Sequence, residues 1–416
     1  MIEQVRDFRS LHIAICGCGP AGLAAALLLH RAGHRIEIFE RFDAPRPVGS
    51  GLILQPTGLG VLSELGLVEA IFAHGAIINR LFGRAAPSGH IVLDVRYSAM
   101  GAGWSGLAVH RSALFEVLYQ AAMDGGLSVQ SSTPISGSEL SGGKRVLVDG
   151  GRRHLGAFDL VVDAMGSRSP LKPSGTKSHQ LSYGAFWANV PISGDMGFAS
   201  DALEQRYFRA SRMAGVLPVG RRVAHGPEEA AFFWSIRQQD VEKWRSHGLS
   251  AWKDEVQEFW PQCAPLLDSI NSPDDLTLAH YEHFTLPRPY TNALVHIGDC
   301  AHSTSPQLGQ GANMALLDAL ALSRALAVSA DVDSALAGYA RMRRWHVRLF
   351  QAGSAAFTPF YQSDSRALPF IRDWLAAPVS RMPVADAMLA RLVSGLTVAP
   401  LAGLDFQPHR ASLRGV

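Results

Sequence analysis

The stretch that decides the fold is residues 11–40, which read LHIAICGCGPAGLAAALLLHRAGHRIEIFE. It opens with a short apolar run at residues 11–16 that is typical of a buried strand. Residues 23–32 are strong helix formers and stop at Gly33, and residues 35–40 return to a strand pattern. The stretch therefore predicts one strand–helix–strand unit with parallel strands.

Three glycines lie at the turn between the first strand and the helix, in the order Gly17-x-Gly19-x-x-Gly22. Gly17 permits a tight turn, Gly19 lets the backbone approach a pyrophosphate, and Gly22 lets the helix pack closely on the strand. The helix N-terminus offers free N–H groups to phosphates, and the Glu40 carboxylate can accept hydrogen bonds from a ribose diol. We expect a dinucleotide to contact Gly17, Gly19, Pro20, Ala21, Gly22, Glu40 and Arg41. The alternative, in a chain with 40 glycines, is a turn that binds nothing.

The bulk composition argues against several classes of partner. The chain has 416 residues and a formal net charge of +2, from 38 basic and 36 acidic residues. This balance gives no electrostatic reason to expect nucleic acid or an anionic membrane surface as a partner. The four cysteines form no CxxC pair, which favours a reducing compartment. The charged N-terminus lacks the apolar core of a signal peptide, and we identify no apolar run long enough to span a bilayer, so we expect a cytoplasmic protein.

Further strand patterns are spread widely along the chain. Residues 107–122 read as a strand, a turn at Arg111-Ser112 and a helix, and residues 158–164 and 294–300 read as buried strands. The blocks between them are more aromatic and alternate like a half-exposed antiparallel sheet. These patterns predict an α/β fold, with a Rossmann-like dinucleotide-binding domain assembled from separated segments and an interleaved antiparallel-sheet substrate domain. We assign residues 1–75, 98–175 and 288–345 to the first domain, 76–97 and 176–287 to the second, and 346–416 to a C-terminal helical tail.

A second motif begins at Gly298 and reads Gly-Asp-Cys-Ala-His, followed by Pro306, Gly309, Gly311 and Asn313. It resembles the second FAD motif of the para-hydroxybenzoate hydroxylase-like family, the single-component FAD-dependent flavoprotein monooxygenases, at each of these positions. The sequence GSGL at residues 49–52 resembles the glycine turn that this family places beside the flavin. The resemblance implies FAD contacts from Gly51, from Arg111 as a pyrophosphate ligand, and from Gly298, Asp299, Pro306, Gly309, Gly311, Ala312 and Asn313.

The residue types of the second motif suit a flavin independently of the resemblance. Asp299 can accept hydrogen bonds from the ribityl hydroxyls, and residues 306–311 form a bare-backbone loop that can lie against the isoalloxazine ring. The helix that follows points its N-terminus at the N1/O2 edge of the ring, where a reduced flavin is negatively charged. In the alternative interpretation, Asp299 is a turn cap and residues 306–311 are a surface loop.

The family resemblance also implies the reaction. Reduced FAD would react with O2 to give a C4a-hydroperoxide, which transfers OH to a phenolic or polycyclic aromatic small molecule, and NADH or NADPH would supply the electrons. Where the family has Ala-Asp-Gly, however, this chain reads Ala164-Met165-Gly166. The family aspartate has a part in nicotinamide-driven reduction. Met165 therefore leaves open the alternative that a separate flavin reductase supplies the electrons. Asp163, two residues earlier on the same strand face, is not an obvious substitute.

The motifs assign no catalytic residue. Tyr281 and His283, with His280, lie on a predicted strand of the substrate sheet, and one of them could hydrogen-bond a phenolic substrate. The simpler interpretation is the wet face of an antiparallel strand. Cys300 and His302 are interpreted as structural residues of the second motif, and no spacing of histidines and cysteines predicts a metal site.

A flavin halogenase and a non-catalytic FAD module are two alternative functions for a chain with these motifs. A flavin halogenase would carry Trp-x-Trp-x-Ile-Pro, whereas the nearest sequence here is FFWSI at residues 232–236. A non-catalytic or redox-sensing FAD module would not need the aromatic insert, which looks like a substrate pocket. A homodimer is compatible with the sequence. The cluster of Arg341, Arg343, Arg344 and Arg348 with Trp345 is typical of the solvated face of a helix.

Overall fold

The structure, a computed structural model, describes residues 10–44, 50–194, 196–223, 225–376, 378 and 382–411, so Gly49 of the predicted glycine turn lies outside it. Its strands are β1 His12–Cys16, β2 Arg35–Phe39, β3 Gly51–Leu54, β4 Ala76–Ile78, β5 Arg80–Ala85, β6 Ile91–Arg96, β7 Gly106–His110, β8 Val129–Gln130, β9 Ile135–Ser141, β10 Lys144–Asp149, β11 His154–Phe158, β12 Leu160–Asp163, β13 His179–Gln180, β14 Tyr183–Pro191, β15 Ala202–Phe208, β16 Arg212–Arg221, β17 Glu228–Arg237, β18 Thr277–Ala279, β19 Glu282–Thr285, β20 Tyr290–Thr291, β21 Leu294–His296 and β22 His302–Ser303. Its helices are α1 Pro20–Arg31, α2 Pro56–Glu64, α3 Val68–Phe72, α4 Arg111–Asp124, α5 Val241–Phe259, α6 Ala264–Leu267, α7 Gly311–Val328, α8 Val332–Tyr361, α9 Ala367–Ile371 and α10 Pro383–Val393.

A six-stranded sheet forms the core of the dinucleotide-binding region, in the order β20-β21-β12-β1-β2-β8. β1 is parallel to both β2 and β12, and β12 is parallel to β21, so strands from distant parts of the chain lie side by side. Helices α1 and α7 pack together in the apolar core beside this sheet. The predicted strand–helix–strand unit at residues 11–40 and the α/β fold class are confirmed.

A seven-stranded sheet forms the second layer, in the order β18-β14-β17-β16-β15-β5-β6. Its neighbours are antiparallel except β15 and β5, which are parallel, so the predicted antiparallel sheet is wrong at this pair. On β17, Phe232 and Trp234 pack under α5 on the outer face, whereas Ala231 and Phe233 lie on the inner face. Ile53 of β3 packs against this inner face, which therefore turns toward the dinucleotide-binding region.

Some predicted boundaries differ from the structure. β4 falls within the block 76–97 but pairs with β7 in a separate three-stranded sheet with β3. The predicted turn at Arg111-Ser112 is wrong, because α4 begins at Arg111 directly after β7. The strand predicted to reach residue 300 ends at His296, because Gly298, with a φ of +64°, turns the chain into a short 3-10 helix. The division into domains otherwise stays a prediction.

Helix α7 is long and apolar enough to cross a membrane by length and composition alone, so the prediction that the chain has no such segment is wrong. However, 67% of this helix is buried inside the protein, where it packs against α1, α2 and α8. A buried core helix shows the same composition as a membrane span. The cytoplasmic location stays a prediction.

The C-terminal part of the chain is largely helical and lies over both layers. Its first helix, α8, spans the predicted boundary at residue 346. Ala390 of α10 is buried with residues of the inner sheet face, including Leu217 and Val219. Beyond α10 the backbone N–H of His409 donates to the carbonyl of Pro56 at 2.8 Å. The tail therefore contacts the inner face of the second layer at α10 and the dinucleotide-binding region beyond it.

Candidate flavin site

The glycine turn at residues 17–22 is tight on one side and open on the other. Gly17 has a φ of +102°, and a Cβ there would lie 2.7 Å from the carbonyl oxygen of Ala164. A Cβ on Gly22 would lie 2.0 Å from the carbonyl oxygen of Gly17. Gly19, by contrast, faces no described atom within 4 Å, and no described side chain caps α1 at this residue. The helix N-terminus is therefore open to a phosphate.

Glu40 follows β2, and its carboxylate braces the same turn. Its Oε2 accepts a hydrogen bond from the backbone N–H of Cys18 at 2.9 Å, and its Oε1 accepts one from Phe42 at 3.1 Å. Carboxylate oxygens accept more than one bond each, so capacity remains for a ribose diol. Arg41 is exposed, with its guanidinium 4.6 Å from the ring centroid of Phe42. Pro20, at the first position of α1, completes the group of predicted contacts around this turn.

Gly298 brings the two sequence motifs together. A Cβ there would lie 3.2 Å from the Cβ of Ala315 on α7 and 3.3 Å from the Cβ of Ala21 on α1. This crowding and the positive φ both favour glycine at the position. Two motifs that are far apart in the sequence therefore form one site, at the N-termini of α1 and α7.

Asp299 is exposed between the buried residues Gly298 and Cys300. A Cβ on Gly311 would lie 3.9 Å from its Oδ1, which places the carboxylate beside the start of α7. No described side chain caps this helix, and Gly309, just before it, is exposed with a φ of +60°. An exposed carboxylate, a bare backbone and two uncapped helix N-termini form the donor and acceptor set that a flavin dinucleotide requires, so these residues fit FAD.

The other residues of the second motif shape this loop. Pro306 is exposed and Ala312 is half-buried. The side chain of Asn313 is fully buried: its Oδ1 accepts from the backbone N–H of Gln55 at 2.8 Å, and its Nδ2 donates to the carbonyls of Ile53 and Gly309 at 3.1 and 3.0 Å. Asn313 therefore holds the loop against β3, and its side chain is not available to the flavin.

Gly51 and Arg111 lie at the second layer and at α4. A Cβ on Gly51 would lie 2.6 Å from Val219 and 2.8 Å from Ala231, so packing against the seven-stranded sheet by itself requires glycine. Arg111 is exposed at the first residue of α4, where its backbone N–H donates to the carbonyl of Ser50 at 2.9 Å. The exposed side chain of Arg111 is therefore accessible to a ligand, whereas the glycine at Gly51 is explained by packing.

Aromatic side chains lie on the inner face of the seven-stranded sheet. Trp187 of β14 and Phe233 of β17 have ring centroids 4.8 Å apart. The Nε1–H of Trp187 donates to the hydroxyl of Tyr281 at 3.0 Å, and desolvation raises the pKa of Tyr281 to about 12. Tyr281 is half-buried and lies between β18 and β19, so the predicted wet strand face is wrong for this residue.

The other predicted catalytic residue, His283 on β19, contacts residues 298–311, the loop of the second motif, which we call the flavin loop. Its Nε2 accepts a hydrogen bond from the backbone N–H of Ser305 at 3.3 Å. Strand β19 also pairs with β22, which belongs to the same loop. His280 is exposed and bonds Gln238 at 2.6 Å. The segment 281–283 therefore joins the aromatic sheet face to the flavin loop.

Comparison with known proteins identifies the family. Residues 10–351 match the family model described as an FAD binding domain. The chain belongs to the para-hydroxybenzoate hydroxylase-like flavoprotein monooxygenases. This flavoprotein monooxygenase is thus an FAD-dependent oxidoreductase.

Relatives match the monooxygenase over most of its length. The aurachin C monooxygenase/isomerase of Stigmatella aurantiaca is 28% identical over 410 residues, which cover 94% of this chain and 99% of that protein. The 3-amino-4-hydroxybenzoate 2-monooxygenase of Streptomyces cremeus is 29% identical, across 76% of this chain and 78% of that protein. Among solved structures, the tetrameric form of 2-methyl-3-hydroxypyridine-5-carboxylic acid oxygenase superposes with a TM-score of 0.76 at 21% identity, covering 96% of this chain and 100% of that chain.

The departure of the monooxygenase from its family at Met165 has a local structural setting. Met165 is half-buried in an apolar cluster that includes Phe158. Asp163 is fully buried: its Oδ2 accepts from His296 Nδ1 at 2.8 Å and from Ser169 Oγ at 2.6 Å, and its Oδ1 accepts from the backbone N–H of Met165 at 3.1 Å. Asp163 therefore points into the core and does not replace the missing family carboxylate.

Three potential metal-ligand atoms, from Asp163, His296 and Cys300, lie within 4.8 Å of one another. The imidazole already bonds the carboxylate, and the thiol lies 2.7 Å from the carbonyl oxygen of Asp163 and 2.9 Å from that of Ile297. Burial raises the pKa of the Cys300 thiol well above its usual range, so it stays protonated and donates. The group is accounted for as a hydrogen-bonded part of the core.

One residue beside the site that sequence reasoning missed is Asp318 on α7. Its fully buried Oδ2 accepts from the backbone N–H of Gly298 at 2.9 Å and from His302 Nε2 at 2.6 Å, and its Oδ1 accepts from Arg343 Nε at 2.7 Å. Burial by itself raises the pKa of Asp318. The neighbouring His302 and Arg343 lower it by more, so the pKa of this carboxyl lies well below its usual range. The signal available in the sequence was an acidic residue inside a mostly apolar helix.

Arg343 corrects the prediction of a solvated helix face. It is 2% exposed, and its Nη1 donates to the carbonyl of Pro400 in the tail at 2.6 Å. Arg344 and Arg348 do lie at the surface, with their guanidinium carbons 5.5 and 5.4 Å from the ring centroid of the exposed Trp345. The buried arginine lies on the apolar face of α8 with Tyr339 and Val347, and its partner Asp318 lies on another helix.

Proposed function

We propose that the monooxygenase hydroxylates an electron-rich phenolic or fused aromatic ring, using O2 and electrons from NADH or NADPH. The observation that carries this proposal is the hydrogen bond from Trp187 to Tyr281, beside the contact of His283 with the flavin loop. A planar aromatic ligand stacks on aromatic side chains, and a few polar groups fix its orientation. The name of the Streptomyces cremeus relative supports the class, since 3-amino-4-hydroxybenzoate is a hydroxylated aromatic ring.

Tyr281 is proposed to orient the substrate. Its oxygen accepts the indole N–H of Trp187, so its own proton is left to donate. A pKa of about 12 keeps the hydroxyl protonated at neutral pH. Tyr281 therefore donates a hydrogen bond to an oxygen substituent of the ring and does not act as a base.

His283 is proposed to position the flavin loop. Because its Nε2 accepts the Ser305 N–H, the ring proton of the neutral form lies on Nδ1. Desolvation, together with His179, lowers the pKa of His283, which favours that neutral form. The nitrogen that would take a proton from a substrate is thus occupied by the loop.

The FAD contacts are proposed along the site from one end to the other. Glu40 binds the adenosine ribose with Arg41 beside it, the turn from Gly17 to Gly22 binds the pyrophosphate together with Arg111, and Asp299 binds the ribityl chain. Gly51, Gly298 and Asn313 shape the site, and the ring lies against Pro306, Gly309, Gly311 and Ala312. When bound and reduced, FAD supplies the oxygen-activating chemistry by the route that the family resemblance predicts. The protein excludes water and stabilises negative charge at the N-terminus of α7.

A separate flavin reductase is a second candidate source of electrons. It is favoured by the apolar setting of Met165 and by the inward orientation of Asp163, which leave this loop without the carboxylate of the family motif. We also propose that the protein forms a homodimer and is located in the cytoplasm.

Turnover with isotopically labelled O2 tests the function. We expect a panel of phenols, hydroxybenzoates and fused phenolic rings to contain compounds that gain one labelled oxygen when NADH or NADPH is supplied. Stopped-flow reduction of the bound flavin by each nicotinamide, with and without these compounds, identifies the donor. The compounds are tested with each nicotinamide, with an added flavin reductase and with chemically reduced enzyme. If no compound gains oxygen under any of these conditions, the proposed aromatic hydroxylation is wrong.

A further inference from the structure

The loop that carries Asp299 is held at both ends by one oxygen atom. Oδ2 of Asp318 accepts the backbone N–H of Gly298, immediately before Asp299, and the Nε2–H of His302, three positions after it. All three partners are buried, whereas Asp299 between them is exposed. A fixed base and an outward-pointing carboxylate are what a preorganised ligand contact requires.

The other oxygen of Asp318 holds the Asp318 side chain itself in place. Oδ1 accepts Nε of Arg343 on α8, and the same guanidinium donates to the carbonyl of Pro400 in the tail. A carboxylate bonded on both oxygens cannot turn about its own axis without leaving a buried partner unpaired. The position of the loop is thus set by α7, α8 and the tail together.

We infer that Asp318 is a positioning residue for FAD, which acts through Asp299 by holding residues 298–302 in the conformation that binds the ribityl chain. The inference rests on the proposed role of Asp299 in FAD binding. Asp318 itself is fully buried, so we assign it no contact of its own with the cofactor. Its effect on FAD affinity must therefore disappear when Asp299 has no carboxylate to position.

A double-mutant cycle tests this coupling, because residues that act independently show additive effects on binding free energy. The FAD dissociation constant is measured by titrating apoprotein of the wild type, Asp318→Asn, Asp299→Ala and the double variant, with the thermal unfolding of each apoprotein recorded alongside. We expect Asp318→Asn to raise the dissociation constant about 10- to 100-fold in the wild-type background. In the Asp299→Ala background we expect a change of less than about threefold.

Asp94→Asn is the matched control. Asp94 is a half-buried aspartate that bonds Arg80 through both oxygens at 2.7 and 2.8 Å, on the seven-stranded sheet. We expect this variant to lower the melting temperature and leave FAD affinity unchanged. An equal loss of affinity in Asp94→Asn would show that general destabilisation explains the Asp318 result.

The outcomes separate the two proposals. If Asp299→Ala binds FAD as tightly as the wild type, the role proposed for Asp299 is wrong. If Asp299→Ala binds weakly but Asp318→Asn weakens binding by the same factor in both backgrounds, or not at all, the positioning role of Asp318 is wrong. Should Asp318→Asn not fold, His302→Leu and His302→Gln replace it in the same cycle. The leucine should weaken FAD binding only when Asp299 is present, and the glutamine, which keeps an N–H donor, should restore most of it.

Discussion

The indole Nε1 of Trp187 and the hydroxyl of Tyr281 lie 3.0 Å apart, which ties the middle of β14 to the segment that leads into β19. Trp187 lies against Phe233 on one side, and β19 continues to the flavin loop on the other. A substrate held by Tyr281, as proposed, would therefore be oriented relative to the flavin by a continuous chain of contacts. Two predictions concern this tyrosine.

Tyr281→Phe should lower kcat/KM for hydroxylation about 10- to 100-fold, because one oriented hydrogen bond to the substrate is lost. The FAD content of the purified protein should not change. Tyr183→Phe is the matched control, since the Tyr183 hydroxyl bonds Asp364 in the C-terminal part at 2.7 Å. Equal loss of hydroxylation in the two variants would contradict the substrate role, and measuring product together with nicotinamide consumption distinguishes slow from uncoupled turnover.

Alkaline pH should destabilise the protein through the tyrosines whose pKa is raised on folding. Desolvation raises the pKa of both Tyr183 and Tyr281 from 10.0 to about 12. Because the unfolded chain ionises first, their contribution to the free energy of unfolding is full below about pH 10 and is lost as the pH rises through about 12. Thermal melts across this range should show a falling melting temperature with a shallower slope in Tyr281→Phe. A melting temperature that is constant up to pH 12 would be inconsistent with these shifts.

Gly19→Ala and Gly22→Ala should have opposite consequences. Gly19 has a φ of −84° and faces no described atom within 4 Å, so alanine should change the stability of the apoprotein by less than about 0.5 kcal/mol. Its methyl group would occupy the space proposed for the pyrophosphate, so FAD affinity should fall tenfold or more. In Gly22→Ala, the Cβ would lie 2.0 Å from the Gly17 carbonyl, and the apoprotein should lose about 1–3 kcal/mol. Unchanged FAD affinity in Gly19→Ala would favour a turn that binds nothing.

Met165→Asp tests the source of electrons. We expect NADH or NADPH to reduce the wild-type flavin directly, since the motifs on both sides of Met165 are intact. The aspartate should then change the reduction rate by less than about threefold, and should lower stability because it places a charge in the apolar cluster with Phe158. Met165→Leu controls for side-chain shape. A large acceleration in Met165→Asp alone would instead show that the chain has lost a nicotinamide function and depends on a separate reductase.

The two glycine motifs could be predicted from the sequence because each is local. A strand, a glycine turn and a helix N-terminus lie within a few residues of one another at Gly17–Gly22, and the physics of the turn depends only on those residues. The same holds for Gly309 and Gly311 before α7.

Other features depend on partners that no local pattern names. Arg343 lies on the buried face of α8 with Tyr339 and Val347, and its partner Asp318 lies on another helix. The parallel pairing of β15 with β5 and the clash that requires glycine at Gly51 arise from contacts between distant segments. The hydrogen bond between Tyr281 and Trp187 is a contact of the same kind, because the two residues lie far apart in the chain.

The order of strands in the six-stranded sheet has a consequence for synthesis of the chain. β12 lies between β1 and β21 in this sheet. Val161 of β12 pairs with Leu294 of β21, which is synthesised only after the whole insert between them. At translation rates of about 5–20 residues per second, the outer edge of β12 waits roughly 7–27 seconds for β21. During that interval a parallel, apolar strand edge is open to pairing with other nascent chains. Recombinant yield should therefore depend on chaperone supply and growth temperature more than on the equilibrium stability of the finished protein.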